Sequence, residues 1–112
     1  MPRGADKGRM ARMPKRLPIA VSTPESVEAA AEAFGSELRL HLIGYFAVHR
    51  SRQADAMRAL AVDRQTVHVN TAVLEATGAL VRHPDLRYSV DRERVRELLD
   101  AVEQFVLPGL DD

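Results

Sequence analysis

The chain has 112 residues, of which 46% are hydrophobic and 29% charged, with no cysteine and a formal net charge of zero. This length predicts one domain with a single core. The lack of cysteine excludes disulfides, thiol nucleophiles and thiolate metal sites. No apolar run approaches the ~18 residues of a transmembrane helix, and the first residues lack the apolar segment of a secretory signal. We therefore expect a cytoplasmic globular protein without a membrane partner.

The zero net charge conceals a segregation of charge along the chain. Residues 1–23 carry a net charge of +5 and residues 39–87 carry +3, whereas residues 24–38 and 88–112 each carry −4. Positive segments attract the phosphates of DNA, so this arrangement favours a nucleic-acid partner, although solvated faces also acquire blocks of charge by chance.

Residues 1–22 combine prolines, glycines and basic residues without periodicity. This composition predicts a flexible basic N-terminal arm ahead of a folded domain at residues 23–112. The arm either lies along DNA phosphates or a minor groove, or serves only as a solubilising tail.

Two helices are predicted to begin the domain. Thr23 and Pro24 are typical of a helix start, and Gly35 ends this first helix. A second helix begins at Ser36 and Glu37, and its apolar residues cover most of its circumference, which predicts a central position. The apolar stripe of the first helix consists of Val27, Ala30, Ala31 and Phe34.

The stretch from Gln53 to Leu80 predicts a helix, a tight turn, a second helix and the start of a strand. Asp63 can cap the second helix, and Gly78 can end it in the left-handed conformation. One face of this second helix consists of Val67, Thr71 and Leu74. The opposite face carries Gln65, His68, Val69 and Ala72, with Thr66 and Asn70 on its flanks.

Two helices joined by a short turn occur both in the DNA-binding helix-turn-helix and in ordinary helical bundles. The outward face of the second helix is polar and weakly charged, as expected of a helix that contacts base edges. This composition favours DNA binding over the bundle.

Basic residues flank this pair of helices. Two short runs around Pro84 and Asp85 predict a small hairpin that contacts phosphates or a shallow minor groove. The arginines ahead of the helix pair are either phosphate contacts or ordinary loop charge. The residues predicted to contact the DNA backbone are Arg50, Arg52, Arg82, His83 and Arg87.

Asp91 is predicted to cap a last helix that ends at Leu107 to Gly109. Its apolar stripe and that of the first helix together exceed what one small core needs. A homodimer is therefore predicted, and the alternative is that a single chain buries both stripes. The predicted dimer interface comprises Val27, Ala31, Phe34, Val95, Leu98, Leu99, Val102 and Phe105.

The predicted fold is mainly α, in the order α-α-α-α-β-β-α with a short two-stranded wing. It resembles the winged helix-turn-helix of ArsR-type transcriptional regulators over about residues 24–107. The resemblance rests on FGSELRLHLI, ALAVDRQTVHVNTAVLEATGAL and RYSVDRERVRELLDAV, which begin at Phe34, Ala59 and Arg87. Two residues depart from the family pattern: Ala61 replaces a usual glycine in the turn, and Thr71 replaces a usual leucine.

The resemblance implies a homodimeric repressor that binds a palindromic operator in double-stranded DNA. The first and last helices would then form the dimer interface. The family's recognition positions correspond to Gln65, Thr66, His68 and Val69, with Arg64 and Asn70 beside them.

Many family members sense metals, but this sequence predicts no metal site and no other cofactor. It has no cysteine pair, its last helix has no histidine, and His41 and His49 alone are too few. An enzyme is not expected either, since no phosphate-binding loop and no nucleophile with a base is present.

A rival function is a winged-helix accessory or protein-interaction module in a recombination, conjugation or other nucleoprotein complex. Arg64 is the only fixed positive charge on the predicted recognition helix, and Glu75 opposes it. Because the helix is only weakly basic, a role in contact with another protein remains an alternative to DNA binding.

Overall fold

The computed structural model describes residues 24–109. The predicted basic arm at residues 1–22 and the predicted helix-capping Thr23 lie outside these described residues, as do residues 110–112 of the predicted domain.

The described chain is mainly helical, with a small antiparallel sheet of two strands. The elements follow one another in the predicted order. Their bounds are α1 Pro24–Phe34, α2 Glu37–Val48, α3 Gln53–Leu60, α4 Arg64–Thr77, β1 Leu80–Arg82, β2 Tyr88–Val90 and α5 Arg92–Val106. None of the helices from residue 24 to 109 is both long enough and apolar enough to cross a membrane.

Short polar side chains begin three of the helices, as the sequence predicts. Ser36 Oγ accepts a hydrogen bond from the backbone N–H of Arg39 at 3.3 Å at the start of α2. Asp63 and Asp91 accept equivalent bonds at 2.8 and 3.0 Å at the starts of α4 and α5. Each bond satisfies a backbone donor that a helix leaves free in its first turn.

The core forms where α2 meets the other elements. Leu42 and Phe46 of α2 are 0% and 2% exposed, and α2 packs against α1, α3, α4 and β2, which confirms its central position. The ring of Phe46 lies 5.5 Å from that of Tyr88. Burying side chains of this size stabilises the fold by about 1.5–3 kcal/mol each.

The first and last helices pack directly against each other within one chain. Ala30 and Ala33 of α1 have no exposed surface, and their small side chains allow α5 to approach closely. Leu98 of α5 belongs to the same buried cluster and is 0% exposed. Leu98, which the sequence assigns to a dimer interface, is thus buried within a single chain.

The two strands pair with Leu80 opposite Val90 and Arg82 opposite Tyr88. On its other side Tyr88 pairs with Ser51: the Tyr88 N–H donates to the Ser51 carbonyl at 2.7 Å, and the Ser51 N–H donates back at 3.3 Å. This bridge, which the sequence does not predict, fixes the connection between α2 and α3 beside the hairpin.

Candidate nucleic-acid interface

A three-residue turn, residues 61–63, joins α3 to α4. Ala61 ends α3 in the left-handed conformation, with φ of 55° and ψ of 47°. This is the position at which the resemblance leads us to expect glycine. Glycine tolerates that conformation without strain, whereas the Cβ of alanine makes it unfavourable.

The two faces of α4 differ as the sequence predicts. Val67, Thr71 and Leu74 are completely buried. Gln65, His68 and Val69 lie on the exposed side. Within the described residues, the side chains of Arg64, Gln65 and His68 form no hydrogen bond or ion pair, so they are available to an external partner.

Thr71, at the position where the resemblance leads us to expect leucine, takes part in a partly buried polar network. Its hydroxyl donates to the carbonyl of His68 at 3.0 Å and accepts from Gln53 Nε2 at 2.9 Å. Gln53 Nε2 also donates to the hydroxyl of Tyr88 at 3.0 Å. The network joins α3, α4 and β2, and so fixes the hairpin relative to α4.

Both polar atoms of the Asn70 side chain form hydrogen bonds within the chain. Its Oδ1 accepts from Nη1 of Arg39 at 2.9 Å, and its Nδ2 donates to the carbonyl of Thr66 at 2.8 Å. Asn70 therefore connects α4 to α2, and its amide is engaged within the chain.

A groove of about 530 Å³ lies between α3, α4 and the hairpin. Three arginines line it, one from each side: Arg52, Arg64 and Arg82. His68 lines it too, and no carboxylate does among the described residues. The other lining residues are Gln53, Ala54, Met57, Leu86 and Tyr88. The groove thus joins the exposed face of α4 to a positively charged rim.

The predicted hairpin contacts Arg82, His83 and Arg87 all have partners within the chain. Arg82 Nε lies 3.4 Å from a carboxylate oxygen of Glu75 on α4. His83 is half-buried, and its Nε2 is 2.7 Å from the hydroxyl of Ser89. The exposed Arg82 pair is weak and easily broken, whereas His83 is fixed within the hairpin.

Asp85 lies at the tip of the hairpin. Its carboxylate is 3.8 Å from Nη2 of Arg50 and 3.6 Å from Nη1 of Arg87, and its Oδ1 accepts from the Arg87 N–H at 3.1 Å. Its backbone carbonyl accepts from Nε of Arg52 at 3.2 Å. The hydrogen bond from the Arg87 backbone and the nearby positive charges lower the pKa of Asp85.

The turn that carries Asp85 is a three-residue hairpin connection, closed by the His83 N–H donating to the Arg87 carbonyl at 2.8 Å. Leu86 adopts the left-handed conformation with φ of 69°. Such connections use a left-handed third residue to match the twist of the strands. Leu86 is 59% exposed, so the hairpin presents an apolar side chain beside its arginines.

The remaining residues predicted for a dimer interface lie on or near the surface of α1 and α5. Ala31, Leu99 and Phe105 are exposed. The half-buried members of the set are Val27, Phe34, Val95 and Val102. Phe105, at 66% exposure, is the largest apolar side chain that this chain leaves accessible at the end of α5.

Sequence reasoning missed three residues that shape this region. These are Gln53, Ser51 and Asp85, and each contacts residues distant in the chain. Only the position of Asp85 in a turn can be predicted from the neighbouring residues. No group of three or more His, Asp or Glu side chains from residue 24 to 109 is arranged to hold a metal ion.

No protein family model, curated protein or solved structure matches the chain.

Proposed function

We propose that this protein is a sequence-specific double-stranded DNA-binding transcriptional regulator with a winged helix-turn-helix domain. In this proposal it is a homodimeric repressor that senses no metal, α4 is the recognition helix and the hairpin is the wing. The proposal rests on one observation. The groove lined by arginines includes Arg64 and His68 of the exposed face of α4, whose side chains have no hydrogen-bond or ion-pair partner within the described residues.

The amino-terminal part of α4 supports a role in recognition. In a helix-turn-helix the first residues of the second helix contact base edges. Here Arg64, Gln65 and His68 occupy the first two turns and are exposed. Arginine can bind guanine and glutamine can bind adenine through paired hydrogen bonds in the major groove.

The arginines around α4 support contact with the DNA backbone. Every positively charged residue from 24 to 109, apart from histidine, is an arginine. The guanidinium group binds phosphate oxygens through two parallel hydrogen bonds. Arg52 and Arg82, which both line the groove, would contact phosphates that flank the bases approached by α4.

Exposed apolar residues on the C-terminal half of α5 and directly after it support the homodimer. Leu99, Phe105, Val106 and Leu107 are 40–66% exposed. A second copy related by a two-fold axis would bury this set and would present two α4 helices to one duplex.

The proposal is tested by fluorescence anisotropy with a labelled duplex of about 30 base pairs, long enough for two half-sites one helical turn apart. The affinity should fall as salt rises from about 50 to about 200 mM, with a linear relation between the logarithms of affinity and salt concentration. Arg64→Ala should weaken binding about fivefold or more.

Arg96→Ala is the matched control for that substitution. Arg96 is an exposed arginine on α5, away from the groove, so its loss should leave the affinity nearly unchanged. The absence of duplex binding at low salt would contradict the proposal and favour the protein-interaction module. Equal losses in the two variants, or a single strand bound as tightly as the duplex, would also contradict it.

A further inference from the structure

Three arginines from two separate segments converge on one residue of the hairpin. Arg50 and Arg87 contact the carboxylate of Asp85 from either side, at 3.8 and 3.6 Å. Arg52 Nε donates to the backbone carbonyl of the same residue at 3.2 Å. Three guanidinium groups therefore meet at one residue, and two of them face its carboxylate.

The backbone holds these arginines close together. Arg50 and Arg52 flank Ser51, which pairs with Tyr88, and Arg87 directly precedes Tyr88. The pair of hydrogen bonds between Ser51 and Tyr88 thus sets the separation of the two segments. The backbone positions of the three arginines are consequently fixed by the fold.

The cluster is accessible to a large anion. The side chains of Arg50, Arg87 and Asp85 are 54%, 49% and 42% exposed. Exposed ion pairs contribute at most about 1 kcal/mol each. A DNA phosphate offers guanidinium groups two acceptor oxygens and carries the same single charge as a carboxylate. It can therefore replace the Asp85 carboxylate with a small loss of free energy.

We propose that Arg50, Arg52 and Arg87 form a binding site for one phosphodiester group of DNA, and that the Asp85 carboxylate occupies this site in the free protein. The inference rests on the proposed DNA-binding function. Because the carboxylate must leave before the phosphate binds, Asp85 weakens binding to DNA of any sequence. Sequence discrimination is left to the exposed face of α4.

Asp85→Asn tests this inference with little change of shape. Asparagine keeps Oδ1, so it can still accept the hydrogen bond that Asp85 receives from the Arg87 N–H. It removes only the negative charge. Asp100→Asn is the matched control, since Asp100 is a partly exposed carboxylate 3.9 Å from Arg96 on α5.

The measurement is the affinity of each full-length variant for an arbitrary duplex of about 30 base pairs across a salt series. Asp85→Asn should bind about three- to tenfold more tightly than the wild type. Its salt dependence should steepen by about one unit, because in the wild type the displaced Asp85 carboxylate takes up a cation that offsets the one released from the phosphate, whereas the neutral asparagine takes up none. Asp100→Asn should change neither quantity.

A second measurement needs no substitution. On addition of the duplex, the carboxyl carbon resonance of Asp85 in the wild type should shift, and that of Asp100 should stay in place. Equal behaviour of Asp85→Asn and Asp100→Asn, or an unshifted Asp85 resonance, would overturn this inference while leaving DNA binding intact. A wild type that binds no duplex at low salt would instead overturn the proposed function and the inference with it.

Discussion

The guanidinium of Arg39 in α2 donates a 2.9 Å hydrogen bond to the side-chain carbonyl of Asn70 in α4. The two residues are 31 positions apart. Their bond fixes Asn70 on the flank of α4, where the sequence predicts a contact with DNA.

Asn70→Ala should therefore affect stability and not recognition. Removing the amide breaks the bonds to Arg39 and to the Thr66 carbonyl, which should lower the free energy of unfolding by about 1 kcal/mol. Urea denaturation measures this loss. Gln65→Ala, at an exposed position, should change stability by less than about 0.5 kcal/mol. A stable Asn70→Ala variant with altered sequence preference would show that Asn70 contacts bases.

Ala61→Gly should stabilise the protein. Ala61 is exposed and left-handed, so glycine relieves backbone strain there without loss of packing. The relief exceeds the added entropy of the unfolded chain, and we expect a gain of about 0.5–1 kcal/mol.

Ala72→Gly is the control for that substitution. Ala72 is also exposed but lies in the middle of α4, where glycine should cost about 1 kcal/mol. Thermal unfolding should show a higher melting temperature for Ala61→Gly and a lower one for Ala72→Gly than for the wild type. A lower melting temperature for Ala61→Gly would contradict the assigned turn.

Acid should destabilise the protein through the residue that caps α4. The hydrogen bond from the Thr66 backbone lowers the pKa of Asp63 below its ordinary value of 3.8. The ionised carboxylate therefore favours the folded state fully above about pH 3.8, and this contribution disappears as the pH falls through the lower pKa of the folded state.

Asp63→Asn isolates that effect, because asparagine also caps helices but does not titrate in this range. Urea denaturation at about pH 7 and about pH 3 should show a smaller acid loss of stability for Asp63→Asn than for the wild type. Equal losses in the two proteins would contradict the role assigned to Asp63.

Phe105→Ser should weaken self-association. Phe105 is 66% exposed near the end of α5, within the apolar set that we propose a second copy buries. Sedimentation velocity should show a shift from dimer toward monomer. Leu40→Ser is the control, since Leu40 is 50% exposed on α2 and should leave the dimer intact. A wild-type monomer, or a dimer insensitive to Phe105→Ser, would contradict the predicted interface.

The sequence predicts the helices of this fold well because their boundaries are encoded locally. Ser36, Asp63 and Asp91 supply caps, and Gly78 adopts the left-handed conformation at the end of α4 with φ of 87°. These signals act over a few residues, so no knowledge of the tertiary structure is needed to find them.

The features that escaped prediction depend on contacts between distant residues. A single pairing, such as that of Ser51 with Tyr88, leaves no periodic pattern in the chain. The stripe on α5 indicates which face is apolar but not that Leu98 joins one buried cluster with Ala30 and Ala33 of α1. Similarly, the turn residues predict the hairpin, but not that Arg50 and Arg52 meet Asp85 at its tip.

The most direct test of DNA recognition is selection of bound duplexes from a random pool by the wild type and by a Gln65→Ala, His68→Ala double variant. Both residues are exposed on α4, so the variant should fold as the wild type does. The wild type should enrich a palindromic sequence with half-sites about one helical turn apart, and the variant should still bind DNA but lose that preference. Enrichment of the same sequence by both proteins, or of none by the wild type, would contradict recognition by α4.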